Sequence, residues 1–143
     1  MTRFQYASPQ WCAAMREILE KLVAEHGYGF PDANFAMCEI ISDVPPDGAR
    51  VILGARFTGG KVRFFDTEED ADVVIHGDYE AMLPGAKFIR RSATPEAAAA
   101  QAAHSKKMAA AGRVSAEGDM SAAPKPLLRV LGLMHDQLAA ITA

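Results

Sequence analysis

Apolar positions along this chain change period twice, and each change marks a boundary between kinds of element. Trp11, Met15, Ile18, Leu19 and Leu22 recur at helical spacing on one face, while Arg16, Glu17, Glu20 and Lys21 fall mostly on the other. With Ser8 as N-cap, Pro9 at the first helical position and Gly27 as the stop, the pattern predicts a helix over Pro9 to Glu25. From Asn34 the period becomes two. Asn34 to Asp43 reads as a strand, Pro45-Pro46-Asp47-Gly48 as a turn, Val51 to Thr58 as a second strand, and Gly59-Gly60 as the lead into Lys61 to Asp66. The three make an antiparallel meander. Val51, Leu53, Ala55 and Phe57 share one face and Arg56 and Thr58 the other, with Val62 and Phe64 alternating against Lys61, Arg63 and Phe65.

An acidic loop, Thr67 to Asp72, precedes a fourth strand, Val73 to His76. Gly77-Asp78 then opens a helical stretch through Tyr79, Met82 and Leu83, which Pro84 and Gly85 interrupt and which Phe88 and Ile89 continue before the Arg90-Arg91-Ser92 loop. Thr94-Pro95-Glu96 starts an alanine-rich helix ending near Gly112. Its early acid and late Lys106-Lys107 suit the helix dipole. A fifth strand, Arg113 to Glu117, runs into a Gly118-Asp119 turn, and a closing helix carries apolar residues on more than one side: Leu127, Leu128, Val130, Leu131, Leu133, Met134, Leu138 and Ile141. A helix apolar most of the way round must be covered on several sides, by a core, a partner subunit or a lipid.

Composition narrows the setting. At 143 residues, 50% hydrophobic, with dispersed charges summing to −3, residues 1–143 are expected to form one domain around a single core. The mild acidity, with no Lys/Arg run longer than a pair, argues against a nucleic-acid partner. No apolar run reaches signal-peptide or membrane-span length, so the expected location is cytoplasmic. Cys12 and Cys38 lack any paired spacing and read as free buried thiols.

The search for chemistry returns little. Asp66, Glu68, Asp70 and Asp72 alternate as in a calcium loop, but Ala71 stands where the sharp turn needs glycine and Gly77 where a bidentate glutamate belongs. There is no GxGxxG, no phosphate loop and no nucleophile elbow. Histidines 26, 76, 104 and 135 lie on four elements with no helical i, i+4 pair, so no metal site and no cofactor is expected. Asp78 and Asp119 each follow a glycine after a strand, where an aspartate caps the backbone that follows.

Two strand-turn-helix passages, Ala71-Asp72-Val73-Val74-Ile75-His76-Gly77-Asp78-Tyr79 and Gly112-Arg113-Val114-Ser115-Ala116-Glu117-Gly118-Asp119, resemble the paired signatures of the sterol carrier protein type-two lipid-transfer domain. The order of elements over roughly residues 9 to 141 agrees with that family. The resemblance implies an α+β fold: a single five-stranded, largely antiparallel sheet with helices on one face enclosing a hydrophobic tunnel. The stretch Glu80 to Ala111 departs from the family in being longer and richer in alanine. The family's signatures are structural, so matching them implies a fold and a cavity without naming a ligand.

A helix over Leu127 to Ile141 is about 22 Å long, enough for an acyl chain to lie along it. Burying about sixteen methylenes contributes on the order of 13 kcal/mol gross, against an association cost of about 4–15 kcal/mol, so apolar lining is sufficient for affinity. Expected wall residues are Leu53, Phe57 and Phe64 from the sheet and Leu128, Leu131, Met134 and Leu138 from the last helix, with Arg90 and Arg91 holding an anionic head group at the entrance. Met15, Met37, Met82, Met108 and Met134 suit an adaptable pocket as well as a plain core. The leading expectation is a non-enzymatic carrier that binds and transfers a hydrophobic small molecule: fatty acid, acyl-CoA, phospholipid, or a sterol- or isoprenoid-like compound. Transient membrane contact goes with it. The alternatives are a homodimeric interaction protein joined through the last helix, and an accessory protein or enzyme on an apolar substrate of lipid or polyketide metabolism, its one local acid-base group being His76, Asp78 and Tyr79.

Overall fold

The computed structural model describes residues 2–143. Helix α1 (Pro9–His26) leads into strands β1 (Asn34–Val44), β2 (Ala49–Thr58), β3 (Lys61–Phe65) and β4 (Val73–Asp78); helices α2 (Tyr79–Ala86) and α3 (Pro95–Ala110) follow, then β5 (Val114–Glu117) and α4 (Lys125–Ala140). The strands form one open sheet in the order β3-β2-β1-β4-β5. Three of its pairings are antiparallel and one, β1 with β4, is parallel, so the fold is α+β with a largely antiparallel sheet.

That single parallel pairing gives the acidic loop its job. Strand β3 lies at one edge and runs parallel to β4, so residues 66–72 must cross the sheet to reach it. They cross on the face away from the main core, where alternation places Arg50, Arg56 and Arg63. Arg63 pairs with Glu69 at 2.9 Å, Arg50 pairs with Glu68, and Arg56 donates to the Asp70 carbonyl at 2.7 Å. The loop is thus pinned along its length by three arginines, two through the Glu68 and Glu69 carboxylates and one through the Asp70 backbone carbonyl. At the landing point, the Asp72 carboxylate accepts from the Ala36 N–H while the Asp72 N–H donates to the Ala36 carbonyl.

The opposite face carries the main core. Phe35, Ile41, Ala55, Phe57 and Val73 from the strands meet Met15, Leu19, Leu22 and Val23 of α1 and Leu127, Val130, Leu131 and Leu138 of α4. The apolar breadth of α4 is therefore covered within the chain, largely by α1. Both termini are tied to this layer: Phe4 bridges to Thr142, whose hydroxyl accepts from the Trp11 indole N–H at 3.0 Å.

Three local expectations need correction. Helix α2 runs through Pro84 and ends at Ala86, because a helix this short forfeits only one backbone bond to the missing N–H. Phe88 and Ile89 lie beyond it, outside any regular element. Gly27 takes a right-handed conformation and opens a 3-10 turn, Gly27–Gly29, so the end of α1 is not a left-handed glycine cap. Among the described residues, no helix is long and apolar enough to cross a membrane.

Candidate functional site

Alanine on α3 decides where the molecule is hollow. Over β2 and β3 the roof is α1, whose large side chains fill the space down to the sheet. Over β4 and β5 the roof is α2 and α3, and alanine side chains end at Cβ, too short to reach the strands. A cavity of about 560 Å³ remains there. Its floor is Glu39, Ile75 and Val114 from β1, β4 and β5; its walls are Met82 and Phe88 on one side, Met134, His135 and Leu138 of α4 on another, and Tyr6 and Trp11 at the N-terminal side. Ala98, Gln101, Ala102 and Ser105 form the inner stripe of α3, and Ala98, Ala102 and Ser105 keep exposed surface, so α3 lies over the opening as a thin cover.

The residues expected to line a tunnel divide between this cavity and the packed core. Met134, Leu138 and Arg90 stand on the cavity wall. Phe57 is fully buried edge-on to Phe30, Leu131 is buried, and Leu53, Phe64 and Leu128 pack half-buried against the same core. Arg91 is exposed in the loop after Arg90. That loop is fixed by the buried Asp136 of α4, whose carboxylate oxygens accept from the backbone N–H groups of Arg90 at 2.8 Å and Arg91 at 3.3 Å.

The acid-base trio of the sequence is split by the fold. His76 faces outward beside Cys38, Ile40 and the acidic crossover, whereas Tyr79 stacks on Tyr6 in the helix layer with ring centroids 5.6 Å apart. Asp78 caps α2 by accepting from the Ala81 N–H and forms a two-pronged pair with Arg113, both contacts at 2.8 Å. The Arg113 hydrogen bonds hold its carboxyl down at about 2. Asp119 caps the turn after β5 through the Ser121 N–H. Cys12 and Cys38 are free and buried, and burial pushes both thiols up. Among the described residues no three His, Cys, Asp or Glu side chains gather as a metal site.

Glu39 is the residue that pattern reading passes over. It occupies the core face of the central strand, between Phe35 and Met37 on one side and Ile41 on the other, and is surrounded by protein while keeping accessible surface toward the cavity. Its Oε1 accepts from the Tyr6 hydroxyl at 2.5 Å. Burial pushes the Glu39 carboxyl up, with the Tyr6 bond as the only opposing influence. Tyr6 is likewise pushed far above the phenol range, by burial first and by the Glu39 charge second, so it stays a donor. His135, bonded to the Phe88 carbonyl at 3.0 Å, is held below the ordinary imidazole value by burial first and the Arg90 charge second.

A raised carboxyl means that the folded state holds its proton more tightly than the unfolded chain does. Stability from this group is present at pH below the ordinary value of 4.5 and is lost as pH rises through the folded value. Glu39→Gln keeps an acceptor for Tyr6 and removes the charge. Its stability should exceed that of the wild type at pH 8, by about 1–3 kcal/mol, and match it at pH 4, as read by denaturant unfolding. Equal pH dependence in the two proteins would contradict this account.

An α+β layer enclosing an apolar cavity with one buried carboxyl–phenol pair is the class of molecule described so far. Its arrangement is the fold of sterol carrier protein 2. The crystal structure of that protein aligns with a TM-score of 0.50 at 14% identity, over 97% of this chain and 100% of the other. The solution structure of a conserved hypothetical protein from Thermus thermophilus aligns with a TM-score of 0.52 at 12% identity, over 100% and 94% respectively. No protein-family profile and no curated protein sequence matches the chain.

Proposed function

We propose that residues 1–143 act as one non-enzymatic carrier that binds an apolar small molecule in the cavity under α3 and transfers it within the cytoplasm. The ligand class is a fatty acid, acyl-CoA, phospholipid, or sterol- or isoprenoid-like compound. The observation that carries this reading is the cavity itself: about 560 Å³ between the sheet and α2–α4, walled by Met82, Phe88, Met108, Met134 and Leu138. Small-molecule sites span roughly 300–1,000 Å³ and are mostly apolar with a few placed polar groups. Methionines on three different helices give the wall side chains that re-pack around ligands of different shape. The exposed inner stripe of α3 supplies a route in, and contact with a membrane surface during loading fits a cover of small side chains. A homodimer through α4 has less to recommend it, since Leu127, Val130, Leu131 and Leu138 are already buried inside the chain.

Titration with diphenylhexatriene, a hydrocarbon fluorophore without a head group, tests the reading. Saturable binding at micromolar protein is expected, and its absence would overturn it. Ala102→Trp should weaken that binding at least about tenfold by filling the cavity from its open side, with stability changed by no more than ~0.5 kcal/mol because Ala102 is exposed. Ala100→Trp, exposed on the same helix but off the cavity, should bind as the wild type does.

A further inference from the structure

Packing alone gives no reason for a carboxyl on the floor of an apolar cavity. Glu39 has Phe35, Met37 and Ile41 as same-face neighbours on its own strand, and Leu53 and Ile75 as its partners on the flanking strands. Its Oε1 is taken by Tyr6, while Oε2 has no hydrogen-bond partner among the described residues. No buried polar side-chain atom among them is left without a partner, so Oε2 is reached from the cavity. Among the described residues no Lys, Arg or His forms an ion pair with Glu39. The residue after Tyr6, Ala7, is buried in the left-handed region at φ 63°, a conformation alanine seldom adopts. Such outliers persist where the surroundings dictate them, and this one directly follows the tyrosine that donates to Glu39.

We propose that Glu39 and Tyr6 form a polar anchor that selects apolar molecules whose head group donates a hydrogen bond, a hydroxyl or an ammonium, over those ending in a carboxylate. The inference rests on the carrier reading and sharpens its ligand class. A hydroxyl or ammonium donates to the open carboxyl oxygen, and an ammonium also supplies the missing counter-charge. A ligand carboxylate brings a second negative charge into a site of low dielectric, where like charges within a few ångströms disfavour each other strongly. Tyr79, His135, Cys12 and His104 are further titratable neighbours of the cavity, and Arg90 is its one wall arginine or lysine among the described residues; Arg90 belongs to the turn held by α4. A carboxylate seated head-outward on Arg90 would therefore make no use of Glu39.

Competition against bound diphenylhexatriene at pH 8, with decanol, decylamine and decanoate as matched ten-carbon ligands, separates the possibilities. The wild type should bind decanol and decylamine at least about tenfold more tightly than decanoate, and Glu39→Gln should bring all three within about threefold. Tyr6→Phe leaves the carboxyl in place and should keep the preference. Equal competition in the wild type, or a preference surviving in Glu39→Gln, overturns the anchor while leaving the carrier standing. Loss of the preference in Tyr6→Phe, with Glu39 intact, overturns the assignment to the carboxyl. If the fluorophore itself does not bind, the carrier reading fails and the anchor fails with it. In the wild type, tighter binding of decylamine than of decanol marks the ammonium as the preferred donor, and the reverse order marks the hydroxyl.

Discussion

Gly118→Ala is expected to lower stability by on the order of 3–4 kcal/mol, moving the unfolding midpoint down by roughly 10–15 °C. Two effects add. Gly118 has φ +86°, where an alanine is strained, and a Cβ there would run into the Asp72 carbonyl oxygen, with Val73 Cα at 3.2 Å. The end of β5 thus presses directly on the residue that lands the crossover loop beside β1. Gly48→Ala provides the comparison: its φ is +75°, but nothing lies within 4 Å of the added Cβ, so it carries the backbone strain alone, about 1 kcal/mol. Thermal unfolding of both variants decides the matter. Equal losses would mean that the close approach to Asp72 yields without cost.

The same contact explains what was readable in the sequence. The two passages that pointed to the fold, around Asp72 and around Gly118, touch each other in space, so their residues are constrained by one junction rather than two. Capping was legible for a similar reason: Ser8, Asp78, Thr94 and Asp119 each serve the backbone within three residues, and such local chemistry leaves a local trace. The antiparallel meander and the core face of β2 followed from period-two alternation.

Position within the helix layer left no such trace. Leu127, Leu131, Met134 and Leu138 recur on one stripe of α4, yet Leu127 and Leu131 end in the packed core while Met134 lies on the cavity wall, because the roof changes from α1 to α3 along the way. Periodicity names a face and is silent about what covers it. Glu39 was hidden by a different ambiguity. On β1 the alternate set Ala36, Cys38 and Ile40 is apolar too, so the strand reads as apolar on both faces and the glutamate could be assigned to neither. Its partner Tyr6 sits 33 residues away in a segment with no period at all.

Phe57→Ala should be among the most destabilising single changes in this chain, at about 3–5 kcal/mol, while leaving ligand affinity nearly untouched. Phe57 is wholly inaccessible, meets Phe30 edge-on with centroids 6.4 Å apart, and lies on the β2 side of the sheet under α1 rather than under α3. Truncation leaves a void among rigid neighbours, and the core on that side has no flexible cover that can settle into it. The unfolding midpoint should fall by roughly 10–20 °C. Diphenylhexatriene affinity, measured well below that midpoint, should stay within about threefold of wild type, because the cavity walls around Met82, Met134 and Leu138 belong to other elements. The reverse pattern, modest destabilisation with binding abolished, would put Phe57 on the ligand's path and extend the cavity across the sheet to β2. Paired with Ala102→Trp, which should weaken binding and spare stability, the variant separates the half of the layer that holds the fold from the half proposed to hold a ligand.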